Sequence, residues 1–485
     1  MTDNSSIKPK VISALFWKLM ERGGTQGIQF IVQIILARLL LPEDYGKIAL
    51  IVVFINIANI FVNSGFSTAL IQKKDADETD FSSVFYLSSF IAVILYIILF
   101  FFAAPIIARF YEDPLLVPVL RVLSVMILLG SYNSIQNSIV SRKLQFKNFF
   151  ISSMISGALS GSVGIVMAYM NFGVYALVAQ QLLSQILFTI TMLFIVKWRP
   201  RLLYSSKRVK KLFSYSWKLL VSNIIDTLDH DLSSLIIGKI SNSAMLGFFN
   251  RGRNFPALIV ENINGSIQSV MLPALSSQQD DINKVKNMVR RSITTSSFLI
   301  FPMMVGLAVI AKPLVIVILT EKWLDAVPFL QISCLVYAFW PIHTANLQAI
   351  NALGRSDIFL KLEIIKKTLG LAILLVSVRY GVYAIALGSA FGGIVSLFIN
   401  IYPNRKLLDY SIKEQMLDIL PSMLIALLMG VIVYSISFLN LSVWLTLITQ
   451  ILSGIVIYMG IAYLFRLECL GYLLTTAQEL FAARK

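Results

Sequence analysis

Residues 82–108, SSVFYLSSFIAVILYIILFFFAAPIIA, run for 27 positions without a charged side chain. About 20 consecutive apolar residues in an α-helix are enough to cross the hydrocarbon core of a bilayer. Similar stretches fill nearly the whole chain, which predicts an all-α polytopic membrane protein with about 14 transmembrane helices. The predicted spans are 14–39, 48–70, 82–108, 116–139, 147–170, 174–196, 213–238, 247–270, 292–311, 326–350, 361–379, 382–402, 416–438 and 441–465.

The overall composition supports the same class. Hydrophobic residues make up 57% of the chain and charged residues only 14%, and the mean hydropathy is +0.79. The net charge of +16 is spread over the loops between apolar helices, so membrane lipids are the expected partners and nucleic acid is not. Two cysteines cannot form a disulfide framework, and no motif for a metal or cofactor is present, so neither is expected.

The basic residues also orient the chain, because cytoplasmic loops of membrane proteins are enriched in Lys and Arg. Most of the 41 Lys and Arg residues fall in one alternate set of loops, and the richest run is KWRPRLLYSSKRVKK at 197–211. Assigning that set to the cytoplasm places the N-terminus inside. With an even number of spans, the C-terminus is expected to be cytoplasmic too.

Short sequence matches suggest an internal repeat. Trp17-Lys18-Leu19 recurs as Trp217-Lys218-Leu219, and ARLLLPEDYG at 37–46 corresponds in position to GKISNSAMLG at 238–247. The copies run in the same direction, which predicts two six-helix lobes related by a parallel pseudo-two-fold axis. The expected organisation is an N-lobe at 1–196, a basic linker at 197–212, a C-lobe at 213–402, and two further spans with a cytoplasmic tail at 403–485.

Polar side chains recur at helical spacing inside several spans, where they usually face the bundle interior or a watery cavity. Amides there can bind the hydroxyl groups of a glycan, and arginines can bind a phosphate. Interhelical hydrogen bonding and anchoring at the membrane interface are the alternatives. The candidate substrate-binding residues are Arg22, Gln26, Gln29, Gln33, Asn56, Asn59, Asn63, Asn133, Arg251, Arg253, Glu261, Asn264, Trp340 and His343.

Span 7 carries the most costly local feature, which is three acids and a histidine within a stretch of six residues near the predicted membrane centre: Asp226, Asp229, His230 and Asp231. Carboxylates at this depth need neutralisation by a proton, a cation or an arginine. We therefore interpret these four residues as candidates for ion or proton coupling. A structural ion pair with Arg22 on span 1 is the alternative.

Several stretches together resemble a known family: ALFWKL at 14–19, ARLLLPEDYG at 37–46, NSGFSTALIQKKD at 63–75, SRKLQFKNF at 141–149, FFNRGRNFP at 248–256, VMLPALSSQQDD at 270–281, EKWLDAVPFLQIS at 321–333 and NALGRSDI at 351–358. Their order and spacing resemble the Wzx-type polysaccharide flippases of the multidrug/oligosaccharidyl-lipid/polysaccharide (MOP) superfamily, in the branch for colanic-acid-like exopolysaccharides. No single stretch is diagnostic of the family.

The resemblance implies a MATE-like fold around a central cavity and a substrate of undecaprenyl-pyrophosphate-linked oligosaccharide. It implies alternating access in the bacterial inner membrane, driven by an ion gradient or by consumption of the product. H⁺ or Na⁺ is the candidate coupling ion, and polysaccharide polymerase machinery is a candidate partner. The acids of span 7 depart from the cationic cavity expected for a pyrophosphate, so the sign of the cavity charge stays open.

Two other functions remain possible from the residues. A multidrug or cation antiporter of the same superfamily would have nearly the same helix pattern. A membrane glycosyltransferase or polymerase would need acids in its outer loops, where Glu43, Asp44, Glu112 and Asp113 are available. The outer loops are only a few residues long, too short for a substrate platform, so we expect a protein that is not an enzyme.

Overall fold

The computed structural model describes residues 4–472, 475 and 479, and in the first helix it describes the side chains of residues 13, 16–18, 20, 21 and from 23 onward. Every regular element of this part of the chain is helical. The α-helices are α1 (Asn4–Leu39), α2 (Pro42–Asn63), α3 (Phe66–Gln72), α4 (Glu78–Ile97), α5 (Ala104–Tyr111), α6 (Leu116–Leu123), α7 (Val125–Arg142), α8 (Phe146–Tyr169), α9 (Val174–Val196), α10 (Ser206–Ile240), α11 (Ser243–Ser276), α12 (Ile282–Val309), α13 (Ala311–Leu319), α14 (Val327–Ala338), α15 (Trp340–Ala352), α16 (Ser356–Ser377), α17 (Val382–Ile401), α18 (Asn404–Leu407), α19 (Ile412–Ser435) and α20 (Val443–Leu464). A π-helical turn, Ile98–Ala103, joins α4 to α5.

Within the described residues, ten helical stretches are long and apolar enough to cross a membrane, and each coincides with a predicted span. They are Pro42–Gln72, Glu78–Tyr111, Leu116–Arg142, Phe146–Tyr169, Val174–Val196, Ile282–Val309, Glu321–Ala352, Val382–Leu407, Ile412–Leu439 and Val443–Leu464. The prediction of an all-α, multi-pass membrane protein is confirmed. The count of 14 spans stays a prediction.

The four other predicted spans are also helical, in α1, α10, α11 and α16. They are not among the ten apolar stretches. α10, for example, carries Asp226, Asp229, His230 and Asp231 near its middle. Candidate polar residues identified in the sequence lie on three of these helices. The same residues that suggest a function therefore lower the hydropathy by which a membrane span is recognised.

Side-chain caps explain where several of the helices begin. The Asp77 carboxylate accepts a hydrogen bond from the Asp80 amide at 3.1 Å, and the Asp80 carboxylate accepts one from the Asp77 amide at 3.1 Å. Ser411 and Glu414 form the same reciprocal arrangement at the start of α19. These contacts satisfy amides that the first turn of a helix leaves without a partner.

Contacts divide the chain into a first unit, Met1–Gly247, and a second unit, Phe248–Lys485. In the first unit, α1 packs along α8, α8 packs along α9, and α10 packs against α2, α3 and α4. In the second unit, α12 packs against α14, α15 and α19, while α16 packs on α17. The predicted lobes and their boundary at 197–212 stay a prediction.

Two glycines allow α2 and the start of α11 to approach closely inside the first unit. A Cβ atom on Gly46 would overlap the backbone carbonyl of Ser243, and a Cβ atom on Gly247 would overlap the carbonyl of Pro42. The contact is reciprocal, since each glycine meets the residue four positions before the other. These glycines end the two segments, 37–46 and 238–247, that correspond in the sequence. Only glycine fits at either position.

Candidate transport site

The glutamines of α1 lie beside the face that packs on another helix. Val32 is buried close to Gly161 of α8, which marks the packed face. At 3.6 residues per turn, the three glutamines lie about 60° to 120° around the helix from Val32. Gln26 and Gln33 are half-buried and Gln29 is exposed. The stripe predicted from the sequence is therefore not sealed inside the α1–α8 contact.

The acidic stripe of α10 is exposed. Asp226, Asp229 and His230 are exposed together with Asn223, and Asp231 is half-buried. Other faces of α10 pack against α2, α3 and α4 and hold the helix in the first unit. Charged groups without burial in protein are costly at bilayer depth unless they face water, so this face needs an aqueous environment.

The asparagines of the first unit have different environments. On α2, Asn56 is exposed, while Asn59 and Asn63 are half-buried. Asn133 on α7 is 3% exposed, and neither of its amide atoms has a hydrogen-bond partner among the described residues. Gly130 lies beside Asn59, because a Cβ atom there would come within 2.7 Å of the Asn59 Oδ1 atom. The structure thus places Asn133 inside the unit and Asn56 on an exposed face.

Two of the three arginines proposed for phosphate contact are described. Arg251 and Arg253 on α11 are half-buried. The Arg251 guanidinium lies 5.7 Å from the ring centroid of Trp323, which is fully buried. Gly252 between them packs tightly, since a Cβ atom there would lie 2.7 Å from the Ala326 carbonyl oxygen. The side chain of Arg22 lies outside the described residues.

Farther along α11, the two remaining candidates differ in exposure. Glu261 is exposed, whereas Asn264 is 3% exposed. Neither amide atom of Asn264 has a hydrogen-bond partner in the part of the chain that is described. An unpaired buried amide costs about 1–3 kcal/mol, so Asn264 lies at a position where a polar partner would be stabilising.

The α15 candidates take part in contacts with the neighbouring helices α14 and α17. Trp340 is half-buried and stacks on Tyr337, with ring centroids 4.8 Å apart. His343 and Asn400 of α17 are joined by a hydrogen bond of 2.9 Å between Nδ1 and Nδ2. This geometry connects α15 to α17, and substrate binding by these side chains stays a prediction.

One turn beyond His343 is a buried amide network, which we define as Asn346, Asn404 and Gln415. All three side chains are fully buried. Asn346 donates to the Gln415 Oε1 atom at 2.9 Å and accepts from Asn404 at 2.6 Å and from Gln415 at 3.2 Å. The network ties α15, α18 and α19 together within the second unit.

Sequence reasoning missed a charge cluster in the first unit, which we define as Lys73, Asp77, Asp80, Arg142 and Arg208. Asp80 is fully buried, with Lys73 Nζ at 2.5 Å and Arg208 Nη1 at 3.5 Å. Arg208 also forms an ion pair with Asp77, and this hydrogen bond holds the pKa of Asp77 below its usual range. Arg142 donates to backbone carbonyls at the end of α3.

From the sequence, the basic members of this cluster are expected to be cytoplasmic loop charges. The available signal was the spacing of Asp77 and Asp80 directly before the apolar run of α4, which is a capping pattern. That pattern predicts the helix start. It does not predict that Arg208, far away in the sequence, pairs with these carboxylates, or that Arg142 donates to the backbone beside them.

A family model described as "Polysaccharide biosynthesis protein" matches residues 35–328, more than half of the chain. The chain belongs to this family. The matched range includes the exposed stripe of α10, the charge cluster and both α11 arginines. Among the candidate site residues it leaves out Trp340 and His343 and the polar positions of α1 before residue 35.

Two relatives of this family member are similar over much of their length. Succinoglycan biosynthesis transport protein ExoT of Rhizobium meliloti (strain 1021) is 25% identical over 319 residues, which cover 66% of this chain and 64% of ExoT. Lipopolysaccharide biosynthesis protein WzxC of Escherichia coli (strain K12) is 22% identical over 443 residues, covering 88% of this chain and 89% of WzxC. The chain thus spans less than two thirds of ExoT.

Two solved structures share the fold. Lipid II flippase MurJ in an inward closed conformation has a TM-score of 0.77 at 17% identity, covering 93% of this chain and 98% of MurJ. An inward-facing multidrug resistance MATE family transporter of the MOP superfamily has a TM-score of 0.61 at 14% identity, covering 81% and 98%. With the family match, these findings confirm the resemblance to Wzx-type flippases and the MATE-like fold.

Proposed function

We propose that this protein moves undecaprenyl-pyrophosphate-linked oligosaccharide repeat units across the bacterial inner membrane for surface polysaccharide synthesis. The observation that carries the proposal is the match to the polysaccharide biosynthesis family over residues 35–328, a range that includes the exposed acidic stripe of α10. Further support comes from a relative named for transport in succinoglycan biosynthesis and from a structural neighbour named as a lipid II flippase. The mechanism is alternating access, with both termini in the cytoplasm.

Substrate binding in this proposal is divided by chemistry. Arg22, Arg251 and Arg253 are the residues for the pyrophosphate, because a guanidinium forms paired, charge-assisted hydrogen bonds with phosphate oxygens. The amides of α1 and α2 are the residues for the hydroxyl groups of the sugars, since carboxamides both donate and accept. The polyprenyl tail stays in the bilayer, so the protein encloses only the polar part.

Coupling in this proposal rests on the acidic stripe. Asp226, Asp229, His230 and Asp231 take up H⁺ or Na⁺ in one state and release it in the other. Moving one elementary charge through the membrane potential supplies about 2.3 kcal/mol per 100 mV, enough to bias a carrier with two states. A step that consumes the exported product, such as polymerisation, would pull transport in the same direction.

A multidrug antiporter is the second candidate, favoured by the acidic stripe and by the MATE-like fold. Catalysis is less well supported, because the acids near the outer loops take part in structural contacts. Glu43 pairs with Lys47 at 2.8 Å, and Asp113 pairs with Lys47 at 3.3 Å. The Asp44 carboxylate accepts from an amide at the start of α2.

The deciding experiment is a deletion strain in which lipid-linked oligosaccharides are extracted and measured. Loss of a flippase should leave the lipid-linked repeat unit to accumulate while surface polysaccharide disappears, and the wild-type chain should reverse both. Drug sensitivity measured in the same strains separates the antiporter. Increased drug sensitivity with normal polysaccharide export would overturn the proposal in favour of the second candidate.

A further inference from the structure

A polar cavity and an apolar groove meet at one end of the second unit. The cavity has a volume of about 560 Å³ and lies between α12, α19 and residues 467–472. The groove has a volume of about 640 Å³ and runs between α11 and α12. Arg291, Thr295 and Tyr472 line both, so the two spaces form one amphipathic site.

The cavity is lined by two arginines and two carboxylates, Arg290, Arg291, Asp418 and Glu468. Arg290 and Asp418 form an ion pair of 2.6 Å, and the Tyr410 hydroxyl donates to the other oxygen of Asp418 at 2.6 Å. This carboxylate is therefore already neutralised. Arg291 and Glu468 are both exposed, so one positive and one negative group remain for a ligand.

Arg291 is held in a geometry that suits a phosphate. Its guanidinium carbon lies 3.3 Å from the ring centroid of Tyr472, and within the described residues it forms no ion pair. Stacking uses the face of the guanidinium and leaves its N–H edge able to donate. The cavity wall also carries Thr295, whose hydroxyl group can donate to the same anion.

The groove is about as long as one lipid acyl chain in a single membrane leaflet. Along α11 it is lined by Ile263, Ile267, Val270, Met271 and Ala274 among others. From the first to the last of these, the helix rises about 16 Å. One leaflet contributes about 15 Å to the hydrocarbon core. Val270 is 69% exposed, so the groove is open along an apolar surface.

We propose that this site binds a zwitterionic glycerophospholipid with a primary ammonium group. Its phosphate lies against Arg291, its ammonium near Glu468, and one acyl chain in the groove. The balanced charge of the cavity favours a zwitterionic head group over one with a net negative charge. The groove matches a single-leaflet chain, whereas a polyprenyl chain of eleven units would extend well beyond it. This inference does not depend on the proposed function.

The test is lipid binding to the purified, delipidated full-length protein, followed by native mass spectrometry. The probes are phosphatidylethanolamine, phosphatidylcholine and phosphatidylglycerol with identical acyl chains, and undecaprenyl phosphate. We expect phosphatidylethanolamine to bind about tenfold more tightly than phosphatidylglycerol. Equal or tighter binding of phosphatidylglycerol, or displacement by undecaprenyl phosphate at equal concentration, would assign the site to another lipid and overturn the proposal.

Variants locate the binding within the structure. Arg291→Gln should weaken every phosphate lipid about tenfold, while Glu468→Gln should remove the preference for ethanolamine. Val270→Trp should fill the groove and weaken binding of all the diacyl lipids. Lys284→Gln on the same helix and Val431→Trp, at a side chain 70% exposed on α19, are the matched controls. Binding that changes equally in variants and controls refutes the site. All altered side chains are exposed, so thermal unfolding should stay unchanged.

Discussion

The amide network of the second unit and the acidic stripe of α10 in the first differ in how the structure treats their polar side chains. Asn346 and the acids of α10 are all polar residues inside predicted spans. Asn346, Asn404 and Gln415 are fully buried and hydrogen-bonded across helices. Asp226 and Asp229 are exposed. Burial with a partner on another helix indicates architecture, whereas exposure of charge on a membrane helix indicates contact with water, ions or cargo.

The strongest test of this contrast is Asp226→Asn. We expect it to abolish export of the lipid-linked repeat unit, because the amide cannot be protonated or carry the coupling charge. Membrane insertion and thermal unfolding should match the wild type, since the side chain is exposed. Accumulation of lipid-linked oligosaccharide in complemented deletion cells measures the effect. The exposed loop residue Asp280 provides the control, Asp280→Asn, and wild-type export from Asp226→Asn removes this residue from the mechanism.

A buried acid in the same unit should behave in the opposite way. Asp80→Asn breaks the pairs with Lys73 and Arg208 and should lower the free energy of unfolding by about 2–3 kcal/mol. The loss is moderated because both cations reach solvent. Denaturant unfolding of the purified protein measures it, with the exposed Asp75→Asn as control. Equal stability of the two variants would show that the charge cluster is not structural.

The amide network offers a smaller effect. Asn346→Leu removes the central partner of Asn404 and Gln415 and leaves their amides unpaired, which should cost about 1–2 kcal/mol. The folded fraction of the Asn346→Leu variant should still transport its substrate. Asn223→Leu on the exposed face of α10 is the matched control and should leave unfolding unchanged. If Asn223→Leu lowers the free energy of unfolding as much as Asn346→Leu does, the difference in exposure does not explain the difference between the two regions.

The smallest effect concerns pH. The hydrogen bond from Arg208 lowers the pKa of Asp77 in the folded protein. The ionised Asp77 carboxylate therefore stabilises the folded protein fully above the pKa of about 3.9 that it has in the unfolded chain. This stabilisation is lost as the pH falls through the lower pKa of the folded protein. Asp77→Asn keeps the helix cap and removes the charge. Its small deficit in unfolding temperature at pH 7 should disappear in strong acid, and a deficit that persists there would exclude the ion pair as its cause.

The sequence predicted the helices well because a bilayer permits few alternatives. A backbone in lipid must satisfy its own hydrogen bonds, so apolar runs such as 82–108 become helices whatever packs beside them. The prediction is less direct for α1, α10, α11 and α16, where polar residues lower the hydropathy. These helices were still predictable from the helical spacing of their apolar and polar residues.

The environment of each polar residue could not be predicted. Asn56, Asn133 and Asn264 are similar in sequence, yet one is exposed and two are buried. Which face becomes covered depends on helices that are distant in the sequence, and no local pattern encodes this. The charge cluster was missed for the same reason, because Arg142 and Arg208 reach it from two other helices.

The reciprocal contact of Gly46 and Gly247 restricts how that end of the first unit can come apart. The surfaces that meet there are backbone, so no side chain can rotate to loosen the contact gradually. The first turn of α2 and the first turn of α11 therefore stay in contact or separate as a whole. Even an alanine at either glycine would place its Cβ atom against the opposite backbone and keep the two turns apart.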